Sequence, residues 1–501
     1  MKKTILVLII FLNIQLFAND IAIRKGHYAL SYDALKLPAN ESMGLLGTSY
    51  LYDFENTYFG LGIYSAVSGN RGGFFTGGIE AGTRYKLTNN FYLDGGMFVG
   101  GGGGGAAPQG GGLMLRPHLG LVLDRDNYKV SLSSTKVQFP NGDIDSDQIS
   151  LGFEIPFESI YKRNTDKKIT ADDIKQFINL TGKHLGWSDH YFTVTAQRYM
   201  IPGGVKNTAG QSNLPDMSLV GFEYGTRIDK NTFYFFETAG AASGGADGYA
   251  QILGGLGYIK PLTTNSGMIL KAAIGAAGGG RVDTGGGIIH KESIGAYYAI
   301  SNKVTLSTEA GYVGAIDGDF EAATLKLGFS YATKFLSTGK KLRSIAGNTI
   351  FDTKQWNIRL SNQRYLSDKS IRKNGTDDTP VDLIGFKIDR FISDDIYVSG
   401  QALGAYEGKS GGYAVGLIGL GTRIQINNDW LVFGEAMVGA AGGGSIDTGG
   451  GAIIQPSVGL EYKLYEDIGL QASIGKIKAT SGNLNTTIID FGINYKFQTI
   501  E

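Results

Sequence analysis

Residues 275–287 read Gly-Ala-Ala-Gly-Gly-Gly-Arg-Val-Asp-Thr-Gly-Gly-Gly, and residues 439–451 repeat them with Ser-Ile in place of Arg-Val. A degenerate third copy runs from Gly100 to Gly112, with Ala106-Ala107-Pro108-Gln109 at its centre. Each copy is flanked on both sides by apolar, alternating runs, so each reads as the tip of a β-hairpin. Copies this far apart are too widely spaced for a solenoid and mark domain-sized repeats. Any fold for this chain has to place the same glycine hairpin three times.

The flanking runs extend the repeat. Eight strand-like runs begin near Tyr191, Leu219, Phe233, Tyr249, Met268, Ile288, Val304 and Ala322. A second series matches them nearly one for one, beginning near Trp356, Leu383, Tyr397, Tyr413, Leu431, Ala452, Ile468 and Thr487. The first repeat is more diverged but keeps the order. The chain therefore divides into repeats over 24–157, 190–333 and 355–498, with linkers over 158–189 and 334–354. The first linker predicts one short helix from Ile169 to Gly182. Thr170 is its N-cap with Asp173 three residues on, Ile174, Phe177 and Ile178 share a face, and Gly182 is the stop. The second linker is basic and rich in Ser, Thr and Gly.

Connections alternate in length. Asp229-Lys230-Asn231, Ser301-Asn302-Lys303, Ser393-Asp394-Asp395 and Asn427-Asn428-Asp429 are tight polar turns, while those between them are longer or glycine-rich. The last run of each repeat alternates most clearly. Ile489, Phe491, Ile493, Tyr495 and Phe497 share one face; Asp490, Gly492, Asn494 and Lys496 share the other. Such a pattern suits strands with lipid outside and a filled lumen inside, although a soluble sandwich alternates too.

Composition narrows the class. The chain holds 77 Gly, 27 Tyr, 26 Phe and no Cys, with formal charge zero. Neutrality gives no argument for a nucleic-acid partner, and the absence of Cys excludes a disulfide framework. Lys2 and Lys3, an apolar run from Ile5 to Phe17 and the small Ala18 read as a secretory signal over residues 1–18, with Leu16 an unusual residue at its −3 position. No later stretch approaches the ~18 apolar residues of a membrane helix. An exported β-protein meets a bilayer as a closed barrel, where every backbone polar group is paired.

The chain's final strand, Asp490-Phe-Gly492-Ile-Asn-Tyr495-Lys-Phe497, resembles the C-terminal signal of Gram-negative outer-membrane β-barrel proteins. Ser150 to Phe157 is similar, and Lys326 to Tyr331 keeps the first half. The resemblance implies an outer-membrane location and recognition by barrel assembly machinery through Gly492, Tyr495 and Phe497. Gln498 to Glu501 depart from the pattern by following the last aromatic. The expected fold is all-β: antiparallel transmembrane β-barrels, three tandem repeats of about eight strands each, with one 24-stranded barrel as the alternative.

Three chemical readings compete. Asp283-Thr284-Gly285 and Asp447-Thr448-Gly449 imitate the paired loops of pepsin-like proteases, where two carboxylates share a proton. Three glycines follow instead of Ser or Thr, and the first repeat has no Asp there. His118, Ser293 and Ser457 share a slot that invites comparison with barrel hydrolases that deacylate lipid A, but alternation puts His290 and Ser293 on opposite faces. Inward charges in the second repeat include Glu223, Arg227, Glu237, Lys271, Glu309 and Lys326. Lys271 aligns with Glu435 and Glu223 with Lys387, so sign flips while the slot stays charged. An ion-selective ring needs a constant sign; swaps point to paired charges in a structural lumen. Five scattered His give no metal spacing, and no cofactor is implied.

The glycine triplets leave a bare backbone strip. Gly278, Gly279, Gly280 and Asp283, with Gly442, Gly443, Gly444 and Asp447, are the candidate interaction surface. The expected role is structural or surface-binding, without catalysis, in contact with outer-membrane lipid. Transport through one large pore is the alternative, and a barrel enzyme comes third.

Overall fold

The computed structural model describes residues 20–339, 349–375 and 377–501; the leader over 1–18 and residues 340–348 of the second linker lie outside the described residues. The first eight strands are β1 (Ile21–Lys36), β2 (Ser42–Phe54), β3 (Thr57–Ser68), β4 (Phe75–Lys86), β5 (Phe91–Gly103), β6 (Met114–Asp124), β7 (Lys129–Gln138) and β8 (Asp145–Lys162). A short β9 (Ile169–Thr170) and helix α1 (Ala171–Thr181) follow. The second set is β10 (Leu185–Met200), β11 (Met217–Arg227), β12 (Thr232–Ser243), β13 (Ala250–Pro261), β14 (Ser266–Gly278), β15 (Ile288–Ala299), β16 (Val304–Ala315) and β17 (Glu321–Thr338). After β18 (Ile350–Phe351) come β19 (Thr353–Leu366), β20 (Val381–Phe391), β21 (Ile396–Glu407), β22 (Ala414–Gln425), β23 (Trp430–Gly442), β24 (Ala452–Lys463), β25 (Ile468–Ala479) and β26 (Asn485–Ile500).

Neighbouring strands pair antiparallel, and each set returns its last strand to its first. β8 pairs β1 from Ile21↔Lys162 to Asp33↔Ser150. β17 pairs β10 from Leu185↔Thr338 to Met200↔Ala323, closing a barrel. β26 pairs β19 from Thr353↔Ile500 to Leu366↔Thr487. A single bridge, Gln498↔Lys162, joins the first and third sets into one 16-stranded sheet. No 24-stranded sheet forms among the described residues, because β10–β17 satisfy their own edges.

The period-two pattern sorts side chains as expected, and burial decides between sandwich and barrel. Ile149, Leu151, Phe153 and Ile155 are exposed on the outside of β8, while Ser150 and Glu154 are buried. Phe491 is 60% exposed and its neighbour Asp490 is 1% exposed. A sandwich would bury the apolar face; here that face is bare, the arrangement of a barrel in lipid. No helix among the described residues is long and apolar enough to cross a membrane.

Inside, the apolar core sits at the long-loop end. Met217, Leu219, Tyr249, Val282, Ile289 and Phe320 fill the second lumen there. Val381, Leu383, Tyr413, Ile446, Ile453 and Leu484 occupy the same slots in the third, and Met43, Leu45, Phe74, Ala107, Met114 and Ile144 in the first. Each glycine hairpin thus folds an apolar residue near its tip, Ala107, Val282 or Ile446, back over its own lumen.

At the short-turn end, helix α1 has the expected cap. Thr170 accepts from the Asp173 backbone, the Asp173 carboxylate accepts from the Thr170 backbone, and Gly182 closes the helix in the left-handed region. Ile174 and Phe177 pack with Ile21, Ile160, Leu185, Leu336 and Ile500 in one cluster. β9 pairs β18, bringing the two linkers together. The strands at this end run longer than the sequence suggests, with β8 continuing past Phe157 and β17 past Thr333, because the cluster gives their ends something to bury against.

Candidate functional site

Below each apolar cap the lumen is filled by charge. In the second barrel, Lys271 Nζ donates to Glu223 at 2.8 Å and to Glu309 at 2.9 Å. Lys326 donates to Glu223 at 2.7 Å and Glu237 at 2.8 Å. Lys291 donates to Glu237 and to the Gln197 amide oxygen, each at 2.7 Å. These groups are all buried, so three cations face three carboxylates with no solvent between. Arg227 stands apart, near the turn, donating to the Lys230 carbonyl.

The third lumen inverts the arrangement. Arg359 lies between Asp389 and Glu435, and Lys387 between Glu435 at 3.7 Å and Asp490 at 2.7 Å. In the first lumen, Arg116 bonds Asp33 at 2.9 Å and Arg84 bonds Glu154 at 2.6 Å. His118 Nε2 lies 3.0 Å from the Tyr58 hydroxyl and 3.4 Å from Asp94. Burying an uncompensated charge costs several kcal/mol per ion, which is why slots that change sign change together.

The glycine hairpins line the seams between neighbouring sets. Gly72 N–H donates to the Gly285 carbonyl at 2.9 Å, joining the first set to the second. Gly412 N–H donates to the Gly102 carbonyl at 3.0 Å, joining the third to the first. Between the second and third, the Asp247 carboxylate accepts from Lys373 at 2.6 Å and from the Thr448 hydroxyl at 3.3 Å. Each hairpin meets the glycine-rich β3–β4, β12–β13 or β21–β22 loop of the next set, head to tail around a closed triangle. A Cβ at Gly101 would stand 2.5 Å from the Gly404 carbonyl oxygen, and one at Gly240 would stand 3.1 Å from the Ala440 methyl. Ser65 and Ala276 hold the same two slots at the remaining seam. Small residues are required because backbone meets backbone.

Of the candidate surface residues, Gly278 approaches the Gly73 backbone and Gly442 approaches Gly248. Gly279 and Gly443 have φ of 92° and 89° and sit under the Gly248 and Gly412 carbonyls, so both conformation and space favour glycine. Gly280 and Gly444 close the turns against Ala246 and Ser410 of their own sets. Asp283 and Asp447 accept from the backbone of Gly285 and Gly449 two residues on. Asp447 also accepts from the Asn483 side chain of the β25–β26 loop at 2.7 Å, and no hydrogen bond joins the two carboxylates among the described residues, unlike a shared-proton dyad. Ser293 donates to Glu309 inside the lumen, while His290 points outward beside Glu292. The partner loops carry their own signal, Gly72-Gly73, Gly248 and Gly411-Gly412, which the strand pattern passes over.

Tyr495, part of the assembly-signal resemblance, accepts from Arg24 of the first set at 3.3 Å and stacks on Phe497, while Gly492 pairs with Ser361 and Gln471. The residues beyond Phe497 act as a clasp. Ile500 is buried in the basal cluster, and the Glu501 side chain accepts from Arg390 at 2.6 Å and from Thr333 of the second set at 2.7 Å. Outside the barrels, the Thr170 hydroxyl and the Lys167 ammonium hold the Asp173 carboxyl below its usual range.

No protein-family model matches the chain, and a search of the curated proteins finds no match. Among solved structures it is similar to the siderophore receptor PirA from Acinetobacter baumannii, at 10% identity over 96% of this chain and 81% of that one, with a TM-score of 0.28. It is also similar to the NanC porin, at 6% identity over 60% of this chain and 98% of that one (TM-score 0.16). OccAB3 from Acinetobacter baumannii is 9% identical over 96% and 99%, with a TM-score of 0.19. At such scores none of these overlaps defines a shared architecture. The structural neighbours are Gram-negative outer-membrane β-barrel proteins, and no specific family is matched.

Proposed function

We propose that the protein is a bacterial outer-membrane protein made of three eight-stranded barrels, each closed and filled, joined in one chain as a rigid platform with a structural or surface-binding role and no catalysis. The observation that carries this reading is the inversion of the fold: bare apolar side chains outside, matched charges and an apolar cap inside. Eight strands make an interior that side chains fill, and this one is filled at both levels. The lumen carboxylates of the second barrel are all held by lysines, which leaves no free general base there. Short turns mark the periplasmic side and long loops the cell surface. By that rule α1 and the C-terminal clasp are periplasmic, and the glycine hairpins face outward.

The test is conductance. The folded full-length chain, reconstituted in a planar phosphatidylcholine bilayer, is expected to give no stable step above the bare-bilayer baseline. A large, stable conductance from the folded chain would replace the platform with a transport pore.

A further inference from the structure

The outer faces of the second and third barrels are not apolar throughout: exposed carboxylates stand on β15 and β17 of the second, and exposed lysines on β25 of the third. On β15, His290 and Glu292 point outward while Lys291 and Ser293 point into the lumen. The Glu292 side chain is 53% exposed, and among the described residues its one ion pair is with His290, at 3.0 Å. It stands beside Ala272 and Tyr312 in register, at the edge of an open groove of about 660 Å³ walled by Leu256, Leu270 and Ile294. The Tyr312 hydroxyl donates to a second exposed carboxylate, Glu321. On β25 of the third barrel, Lys476 and Lys478 are exposed on the outer face, following Ile474 along the strand and opposite Thr487 and Asn485 of β26 in register. Neither makes an ion pair among the described residues.

The slots show that these charges are particular to their barrels. Pro117 and Pro456 stand where the second barrel has Glu292, and Tyr312 stands where the third has Lys476. The first barrel has Lys136 in the Lys476 slot, but there it is paired with Asp145. Tyr312 is directly opposite Glu292, so Lys476 and Glu292 lie at the same depth to within about one strand spacing, ~4.8 Å. A lipid-facing lysine at the bilayer midplane costs ~2–4 kcal/mol, falling toward the interfaces. An opposite charge on a facing surface removes that cost. Among the described residues the two faces make no ion pair with each other, which leaves each free to meet its complement on another copy.

We infer that copies of this chain associate side by side in the membrane, the β15–β17 face of one second barrel docking on the β25 face of another copy's third barrel. Glu292 and Glu321 meet Lys476 and Lys478, and the groove beside Glu292 receives apolar side chains next to Lys476 such as Ile474. The contact is heterologous, so it propagates into rows instead of closing a dimer. The inference rests on the membrane reading of the bare apolar face.

The chain has no Cys, which makes the test clean. Full-length Glu292→Cys and Lys476→Cys proteins are reconstituted together in phosphatidylcholine vesicles and mildly oxidised. A disulfide-linked pair is expected from the mixture and from neither variant alone, and the double variant should give a ladder. Charge reversal with Lys476→Glu and Lys478→Glu should abolish self-association read by energy transfer between labelled copies, and adding Glu292→Lys should restore it. No linked pair from folded, vesicle-inserted variants would overturn the docking alone. So would unchanged self-association of the reversed protein together with lost binding to lipopolysaccharide, which would make an anionic headgroup the occupant. A wild-type chain washed off the vesicles by alkaline carbonate would refute the membrane reading, and the docking with it.

Discussion

Lys271 Nζ lies 2.8 Å from Glu223 across the lumen of the second barrel. The same two slots in the third repeat hold Glu435 and Lys387, 3.7 Å apart, and the slot of Lys326 holds Asp490. Three positions have changed sign together while remaining in contact, which makes the charge matching, and not the identity of any one group, the conserved requirement between these two repeats.

Lys387 stands between Glu435 and Asp490, so its removal leaves the buried Asp490 without a cation and Glu435 with Arg359 alone. Lys387→Ala is expected to destabilise the protein by about 3–5 kcal/mol. Adding Asp490→Asn should recover part of that loss, because one uncompensated charge is removed with it. The check is the midpoint of heat-induced mobility change on gels for both single variants and the double. Additive losses would contradict a coupled network.

Gly101 meets the Gly404 carbonyl across a seam, whereas a Cβ at Gly254 meets nothing within 4 Å. Gly101→Val should therefore loosen the first–third seam, by about 1–3 kcal/mol of overpacking, while Gly254→Val stays near wild type. Trypsin cleavage after Lys409, in the loop that packs at this seam, should accelerate in the first variant alone. Equal cleavage rates would mean that the barrels are not held by these contacts.

Glu501 joins the third set, through Arg390, to Thr333 of the second. Hydrogen bonds to a charged group are worth about 1.5–3 kcal/mol, so Glu501→Ala should lower the thermal midpoint measurably. Glu501→Gln should fall between the two. A midpoint unchanged in both variants would leave the clasp without energetic weight.

Asp173 is held below its usual range by the Thr170 hydroxyl and by Lys167. A carboxyl depressed in the folded state stabilises above its unfolded value, near ~4, and that contribution is lost as pH falls through the folded value. Cleavage at Lys175 in α1 by a protease active in acid should rise as the pH drops below about 4. Asp173→Asn should remove that dependence, and Thr170→Ala should cost about 1 kcal/mol at neutral pH. A flat pH response in the wild-type chain would contradict the capping account.

Much of the fold was legible. Strand starts such as Val304, Ile288 and Ile468 coincide with the expected ones, and Thr170 and Gly182 cap the helix as their residue types require. Alternation is local, so it survives in the sequence. The seam is not local: Gly72 and Gly285 are far apart in the chain, and nothing near either of them says which glycine-rich loop faces which hairpin. The same holds for Gln498 to Glu501. Beside the barrel-type ending they look like surplus, and only the position of Thr333, Arg390 and the basal cluster gives them a partner. The burial of Val282 and Ile446 is likewise illegible, because sequence cannot show a hairpin tip folding back onto its own lumen.

Each set of strands returns its last strand to its first, so each repeat is expected to fold alone. Residues 353–501 contain β19 to β26 and their complete lumen, and are to be expressed behind a signal peptide and run on gels with and without heating. A folded, protease-resistant, heat-modifiable fragment is the predicted result. A fragment that never folds, beside a full-length chain that does and that conducts strongly, would contradict it.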